Sequence, residues 1–218
     1  MNPRNLVWLY VATSVINVFS QILPLEELNR YTKPLLMPLL LLYVYRSSLG
    51  KTTGKVLLLS FAIIFSWGGD VVLMYQADDI YFMSGIGLFL IAHIFYIITL
   101  RKATYKRAKV SPVSILPFLL YGGILFYILL PAGDFTIPIV VYGFVILIMM
   151  ITAYARRSVA AEKSFKLAFA GSLLFVLSDS VLAINAFKFE VPFAGVVIMS
   201  TYCAAQYLLA EGLLSHQE

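Results

Sequence analysis

Charge is scarce in this 218-residue chain: Asp, Glu, Lys and Arg make up 12% of it, about half the ~25% of a soluble globular domain. A large water-soluble body is therefore excluded. The only cysteine, Cys203, lies inside an apolar run, which rules out an intrachain disulfide and a cysteine-based zinc site. The two histidines are His93, in an apolar run, and His216, in the polar tail. A Gly-rich phosphate loop, HExxH and GxSxG are all missing. A metal would have to rest on Asp70, Asp179 and His93, which helix counting sets at different depths. No metal and no other cofactor is expected. The net charge of +5 does not point to nucleic acid, because the basic residues sit in short loops between apolar runs, where they act as a topology signal.

What remains is apolar. Hydrophobic residues make up 61% of the chain, and the mean hydropathy is +0.90. A membrane span needs about 20 apolar residues. Eight such runs are read, over 5–24, 31–45, 54–75, 80–100, 112–130, 135–154, 164–187 and 192–213. The fold class is all-α: a polytopic membrane protein with eight transmembrane helices in a single domain over 1–218. The first run is too long for a signal-peptide core and is read as a retained helix. The second is short, and Pro34 and Pro38 suggest a kinked or partly unwound start.

Lys and Arg orient the bundle. One set of loops carries Arg46, Lys51, Lys55, Arg101, Lys102, Lys106, Arg107, Lys109, Arg156, Arg157, Lys163 and Lys166. The alternate loops carry only Arg30, Lys33 and Lys188, together with Glu26, Glu27, Asp78, Asp79, Asp134 and Glu190. Both termini are expected to be cytoplasmic. Short termini without retention signals suit a bacterial inner membrane better than a eukaryotic endomembrane.

Two aspartates interrupt this apolar chain. Asp70 sits in the run 54–75 and Asp179 in 164–187. A carboxylate at mid-membrane costs at least about 2.5–3.5 kcal/mol, and persists where it faces a protein interior or wet cavity and has a partner. The local sequences echo each other, GDVVL and SDSVL, four spans apart. This resembles a parallel four-plus-four repeat, in which both helices run from inside to outside. At a rise of 1.5 Å per residue each Asp lies roughly 22–24 Å above its helix's inner end. They share a depth and can meet.

Other polar residues recur at helical spacing. Thr13, Asn17, Ser20 and Gln21 share one face of the first span. Either they bond between helices, or they line a wet site with Asn17 and Gln21 toward substrate. Ser66 lies a turn below Asp70, and Gly68 and Gly69 allow close approach there. His93 and Tyr96 share a face of the fourth span, as do Tyr202 and Gln206 of the eighth. Depth counting puts His93 and Gln206 about 10 Å below the aspartates, as lining for a cavity floor. Lys33 starts the second span near the Asp level, where it either snorkels, pairs with an Asp, or meets a phosphate.

Five stretches occur in order along the chain: Lys33-Pro34, GGDVVLM (68–74), GLFLIAHIFY (87–96), GSLLFVLSDSVLA (171–183) and YCAAQYLL (202–209). Together they resemble the YhhN-like family of membrane proteins, whose characterised members are lysoplasmalogenases. The resemblance implies an eight-helix fold and hydrolysis of the vinyl ether bond of a lysoplasmalogen, a lysophospholipid drawn from membrane lipid. The products would be a fatty aldehyde and a glycerophospho-alcohol such as glycerophosphoethanolamine or glycerophosphocholine. It also implies Asp70 and Asp179 as the catalytic pair.

The chemistry suits two carboxyls. An enol ether must first be protonated on carbon, giving an oxocarbenium ion to which water adds. That needs one protonated acid and one anion, and two close carboxyls titrate as a unit. Glycosidases run a similar cation past two carboxyls. An intramembrane aspartyl protease would also need two aspartates, but Trp67 stands where its GxGD motif needs Gly, and Ser178 where its partner motif needs Tyr. A small proton-coupled transporter or lipid-binding protein is the remaining alternative.

Overall fold

The computed structural model describes residues 2–23, 25–49, 54–75, 79–103 and 110–215. Lys51, Asp78, Lys106, Arg107, Lys109 and His216, read above, lie outside the described residues.

Among the described residues the chain forms eight long helices and no strand: α1 (Pro3–Ile22), α2 (Glu26–Ser47), α3 (Gly54–Val72), α4 (Asp79–Lys102), α5 (Pro112–Leu129), α6 (Thr136–Ala155), α7 (Glu162–Phe187) and α8 (Ala194–Leu214). Single 3₁₀ turns extend α3 over Leu73–Tyr75 and flank α6 on both sides. Seven helices are long and apolar enough to cross a membrane. The exception is α2, which carries Glu26, Glu27, Arg30 and Lys33 in its first two turns. The chain is an integral, multi-pass membrane protein.

The second span corrects the reading from sequence. It is a continuous helix from Glu26 with both prolines inside it, not a short span that is unwound at its start. Pro38 has no N–H to give to the carbonyl of Pro34, one turn back. The indole Nε1 of Trp67 on α3 donates to that carbonyl instead, at 2.9 Å. A neighbouring helix thus satisfies the backbone group that proline frees, as a membrane interior requires.

Helices α1, α2, α3, α4, α6, α7 and α8 pack in succession and close into a ring, and α8 also touches α2 and α3. Helix α5 stands outside, against α6 and α7. The closest pair is α7 with α8, and small residues allow it. A Cβ on Gly171 would fall 2.8 Å from the Leu209 backbone N, and one on Gly212 would fall 2.6 Å from the Ala168 N. Small residues at such positions bring membrane helices to backbone contact. The polarity is inverted relative to a soluble domain. On α1 the buried face carries Thr13, Ser14, Asn17 and Ser20, while Trp8, Val15 and Phe19 point outward.

One end of the bundle is tied by polar contacts. Glu211 of α8 accepts from the Tyr43 hydroxyl and lies 3.7 Å from Lys163 Nζ. The buried Arg156 donates to Ser164 Oγ at 2.8 Å, and Ser164 Oγ donates to the Gly212 carbonyl at 2.6 Å. The opposite end is closed by the rings of Phe82, Phe135 and Phe187. The two aspartates lie on this second side.

Candidate active site

Asp70 comes from the last turn of α3 and Asp179 from two turns before the end of α7. Both line one cavity of about 510 Å³, bounded also by Gln21, Lys33, Ser178 and Tyr202. Glu26, Asn29 and Arg30, from the polar start of α2, line it as well. The site is therefore a chamber of mixed polarity, open to a charged helix start and walled in part by Leu73, Phe89, Ile198 and Met199. Asp70 is 3% exposed and the Asp179 side chain 14%.

Each carboxylate has its own partners. The Tyr202 hydroxyl of α8 donates to Asp70 Oδ2 at 2.6 Å. The Tyr142 hydroxyl of α6 donates to Asp179 Oδ2 at 2.5 Å. His93 Nε2 of α4 stands 3.8 Å from the same Asp179 oxygen. The His93 ring is fully buried, wedged against Phe175 at 4.6 Å between centroids. Its Nδ1 lies 2.6 Å from the Phe89 carbonyl. A carbonyl only accepts, so Nδ1 carries a proton, and whenever the ring is neutral it is Nε2, on the Asp179 side, that holds the lone pair.

Glycine shapes the approach to Asp70. A Cβ on Gly69 would meet the Phe89 ring at 2.6 Å, so only a glycine lets that ring sit beside the carboxylate. A Cβ on Gly195 would meet Gln21 Oε1 at 2.6 Å, so this glycine of α8 gives Gln21 its place in the cavity wall.

Of the site residues expected from sequence, the cavity gathers Asp70, Asp179, Lys33, Gln21 and Tyr202. Asn17 is not among them. It is fully buried and its Nδ2 donates to Asn29 Oδ1 at 3.0 Å and Thr32 Oγ1 at 2.9 Å. It clasps α1 to α2 and binds no cavity surface. Its neighbours Thr13 and Ser20 bond to carbonyls of their own helix. Tyr96 and Gln206 bond to each other in the core and are fully buried.

His93 neither lines the cavity floor nor lies well below the aspartates: it backs Asp179. Side chains lean toward the N-terminus of their helix, and α4 and α7 run in opposite senses. The two side chains lean toward each other, which closes the gap that counting Cα rises leaves. The depth argument against a metal at Asp70, Asp179 and His93 falls with it. Among the described residues, though, no three His, Cys, Asp or Glu side chains gather in metal-binding geometry.

Tyr142 was not expected from sequence. Its signal is an interval. Asp70 to Asp179 spans 109 residues, as do His93 to Tyr202 and Lys33 to Tyr142. The matched residues cross over: Tyr202 bonds to Asp70, while His93 faces Asp179. Lys33 shares the cavity of Asp70, and Tyr142 bonds to Asp179.

The chain matches the model of the YhhN family over residues 28–213. It is 31% identical to lysoplasmalogenase TMEM86A of Homo sapiens over 72% of this chain and 65% of that protein. It is 30% identical to lysoplasmalogenase TMEM86B of Homo sapiens, over 79% of this chain and 70% of that protein. A lysoplasmalogenase of Mycobacterium bovis is 28% identical over 72% of this chain and 60% of that protein. The match to TMEM86A thus leaves about a third of that protein's length uncovered. No solved structure matches the chain. With six-sevenths of its residues under the family model, from the start of α2 to the end of α8, the chain belongs to the YhhN family.

Proposed function

We propose that the protein is a lysoplasmalogenase, hydrolysing the vinyl ether of a lysophospholipid by acid–base chemistry between Asp179 and Asp70. The observation that carries this is the pairing of two membrane carboxylates on one cavity with chemically opposite surroundings. The names of its relatives point the same way.

Asp179 is the acid in this reading. An ionised Asp179 would set its charge against the lone pair of His93 Nε2 at 3.8 Å. One proton between the two groups removes that conflict, so the pair holds it. Asp70 is the anion. It accepts a hydrogen bond from the Tyr202 hydroxyl and shares its chamber with the ammonium of Lys33.

The steps balance. Asp179 gives its proton to the second carbon of the alkenyl chain, and the first carbon becomes an oxocarbenium ion facing Asp70. As water adds to the first carbon, Asp70 takes one of its protons, giving a hemiacetal. Asp70 then passes that proton to the departing glycerol oxygen, while the hemiacetal hydroxyl returns its proton to Asp179. Aldehyde and glycerophospho-alcohol leave, and both carboxyls are reset. Tyr142 gains importance as Asp179 becomes charged, which is stabilisation realised in the transition state. Lys33 and Arg30 meet the phosphate at the cavity mouth.

The test is aldehyde release by purified protein in detergent from lysoplasmenyl-ethanolamine and lysoplasmenyl-choline, with the ester lysolipid of equal chain length as control. Wild type should release aldehyde, and folded Asp70→Asn and Asp179→Asn should not. Turnover retained by either variant would overturn the mechanism. No aldehyde from folded wild type with either headgroup would overturn the reaction and bring a transporter or lipid-binding role forward.

A further inference from the structure

A second cleft lies beside the polar cavity. It is narrow, about 60 Å³, and is walled by α4, α5, α6 and α7. Its lining is almost wholly apolar, with Ile86, Leu125, Phe126 and Ile146 on its sides, and Asp179 is the one charged residue among those lining it. Leu73, Phe89, Asp179 and Leu182 line both spaces. Asp179 therefore stands on the seam between a chamber that carries charged and polar groups and a slot that is almost wholly apolar.

We infer that this slot takes the hydrocarbon chain of the substrate, so that the site is split at Asp179 into a headgroup chamber and a chain tunnel. The inference rests on the vinyl ether reading and specifies where each half of that molecule goes. A vinyl ether is itself a seam. Its oxygen belongs to a charged glycerophospho-alcohol, and its two reacting carbons are the first two of an alkyl chain. Only a substrate laid across the seam puts its second carbon at Asp179 and its oxygen on the Asp70 side.

The slot as it stands holds roughly two water-sized volumes, at ~30 Å³ each, so a long chain must part its walls. Helix α5 is the wall that gives. Among the described residues its main packing partners are α6 and α7, and just 11% of its span is buried. Gly143 of α6 shows how tightly that wall is set: a Cβ there would meet the Phe126 ring of α5 at 2.6 Å. The chain enters from the lipid side as α5 moves away from α6.

The test uses a non-cleavable alkyl ether lysolipid with a diazirine at its chain end. The probe is photolysed on purified wild-type protein with and without excess unlabelled alkyl lysolipid. Labelling that the competitor removes should map to α5 and α6 around Phe126 and Ile146. Competed labelling in the groove between α1 and α8, lined by Val11, Val18, Cys203 and Tyr207, or uncompeted labelling only, would overturn the proposal. A second measurement reads chain length. Ala183→Phe, which fills the slot from α7, should lower kcat/KM for a sixteen-carbon alkenyl chain relative to an eight-carbon one at least tenfold. An unchanged ratio in folded variant would also overturn it. Wild-type aldehyde release separates the two ideas. Competed labelling in the slot without aldehyde removes the reaction and keeps the chain site. Aldehyde with labelling elsewhere removes the chain site and keeps the reaction.

Discussion

Tyr142 gives the sharpest test of how the site works, because its hydroxyl makes a single contact with a single carboxylate. Its Oη lies 2.5 Å from Asp179 Oδ2, a charge-assisted geometry once Asp179 loses its proton. In the proposed mechanism this bond joins two neutral groups before proton transfer. At the transition state it joins a hydroxyl to a developing anion. Tyr142→Phe removes the hydroxyl and keeps the ring, which packs edge-on against His93 at 5.3 Å. A hydrogen bond to a charged group contributes about 1.5–3 kcal/mol and one between neutral groups about 0.5–1.5, so about 1–1.5 kcal/mol is special to the transition state. At ~1.36 kcal/mol per tenfold in rate, kcat should fall about 5- to 12-fold, with KM nearly unchanged. The assay is steady-state aldehyde release in mixed micelles, at several surface concentrations of lysoplasmenyl lipid, with melting temperature as the check on folding. A folded variant within twofold of wild-type kcat, or one whose loss lies wholly in KM, would refute the assignment of Tyr142 to the transition state. A second comparison tests the route. Tyr142→Phe and His93→Gln both act through Asp179, so their losses should combine to less than their product, as expected for residues in one network. Fully multiplicative losses would mean they act separately.

Three further outcomes are expected. His93→Gln removes the ring lone pair that shares a proton with Asp179 in the proposed mechanism, and should alter the pH–rate profile of aldehyde release as well as its height; a change in melting temperature with the profile intact would make the ring a packing element. Gly171→Ala places a Cβ 2.8 Å from the Leu209 backbone N, and overpacking of this kind costs about 1–3 kcal/mol, so its detergent melting temperature should drop, which differential scanning fluorimetry would show. Asn17→Leu breaks the clasp to Asn29 and Thr32, each bond being typically below ~2 kcal/mol in a membrane; stability should fall while turnover per folded molecule holds within twofold, and a large change in KM would return Asn17 to the substrate site.

How much of this was legible in the sequence follows from what each signal encodes. Eight apolar runs are a composition signal with a length scale, so the helices were readable and only the start of α2 was misplaced. Its two prolines suggest a kinked or partly unwound start in the sequence because the repair, Trp67 Nε1 on the Pro34 carbonyl, is supplied by another helix. The aspartates were readable because charge in hydrocarbon demands a reason. The polar stripe of α1 was ambiguous for a physical reason: hydroxyls that bond back to their own helix carry the same spacing as hydroxyls that line a cavity. Counting rises along helices located Cα atoms and missed the opposed lean of side chains on antiparallel helices, which is what brings His93 to Asp179. Tyr142 had no polar neighbour one turn away to mark its face. The shared interval of 109 residues marks it, but only after Asp70 has been aligned with Asp179 and α2 with α6. Positions matched between the two halves hold Lys33 and Tyr142, and His93 and Tyr202. Around Asp70 they leave a cation and a hydroxyl donor; around Asp179 they leave a hydroxyl donor and a proton acceptor. In the proposed mechanism, the different residues at these positions are what make one of two like carboxyls the anion and the other the acid. Because Tyr202 serves Asp70 and His93 serves Asp179, each carboxyl is completed by the other half of the chain, and neither GDVVL nor SDSVL can show its role alone.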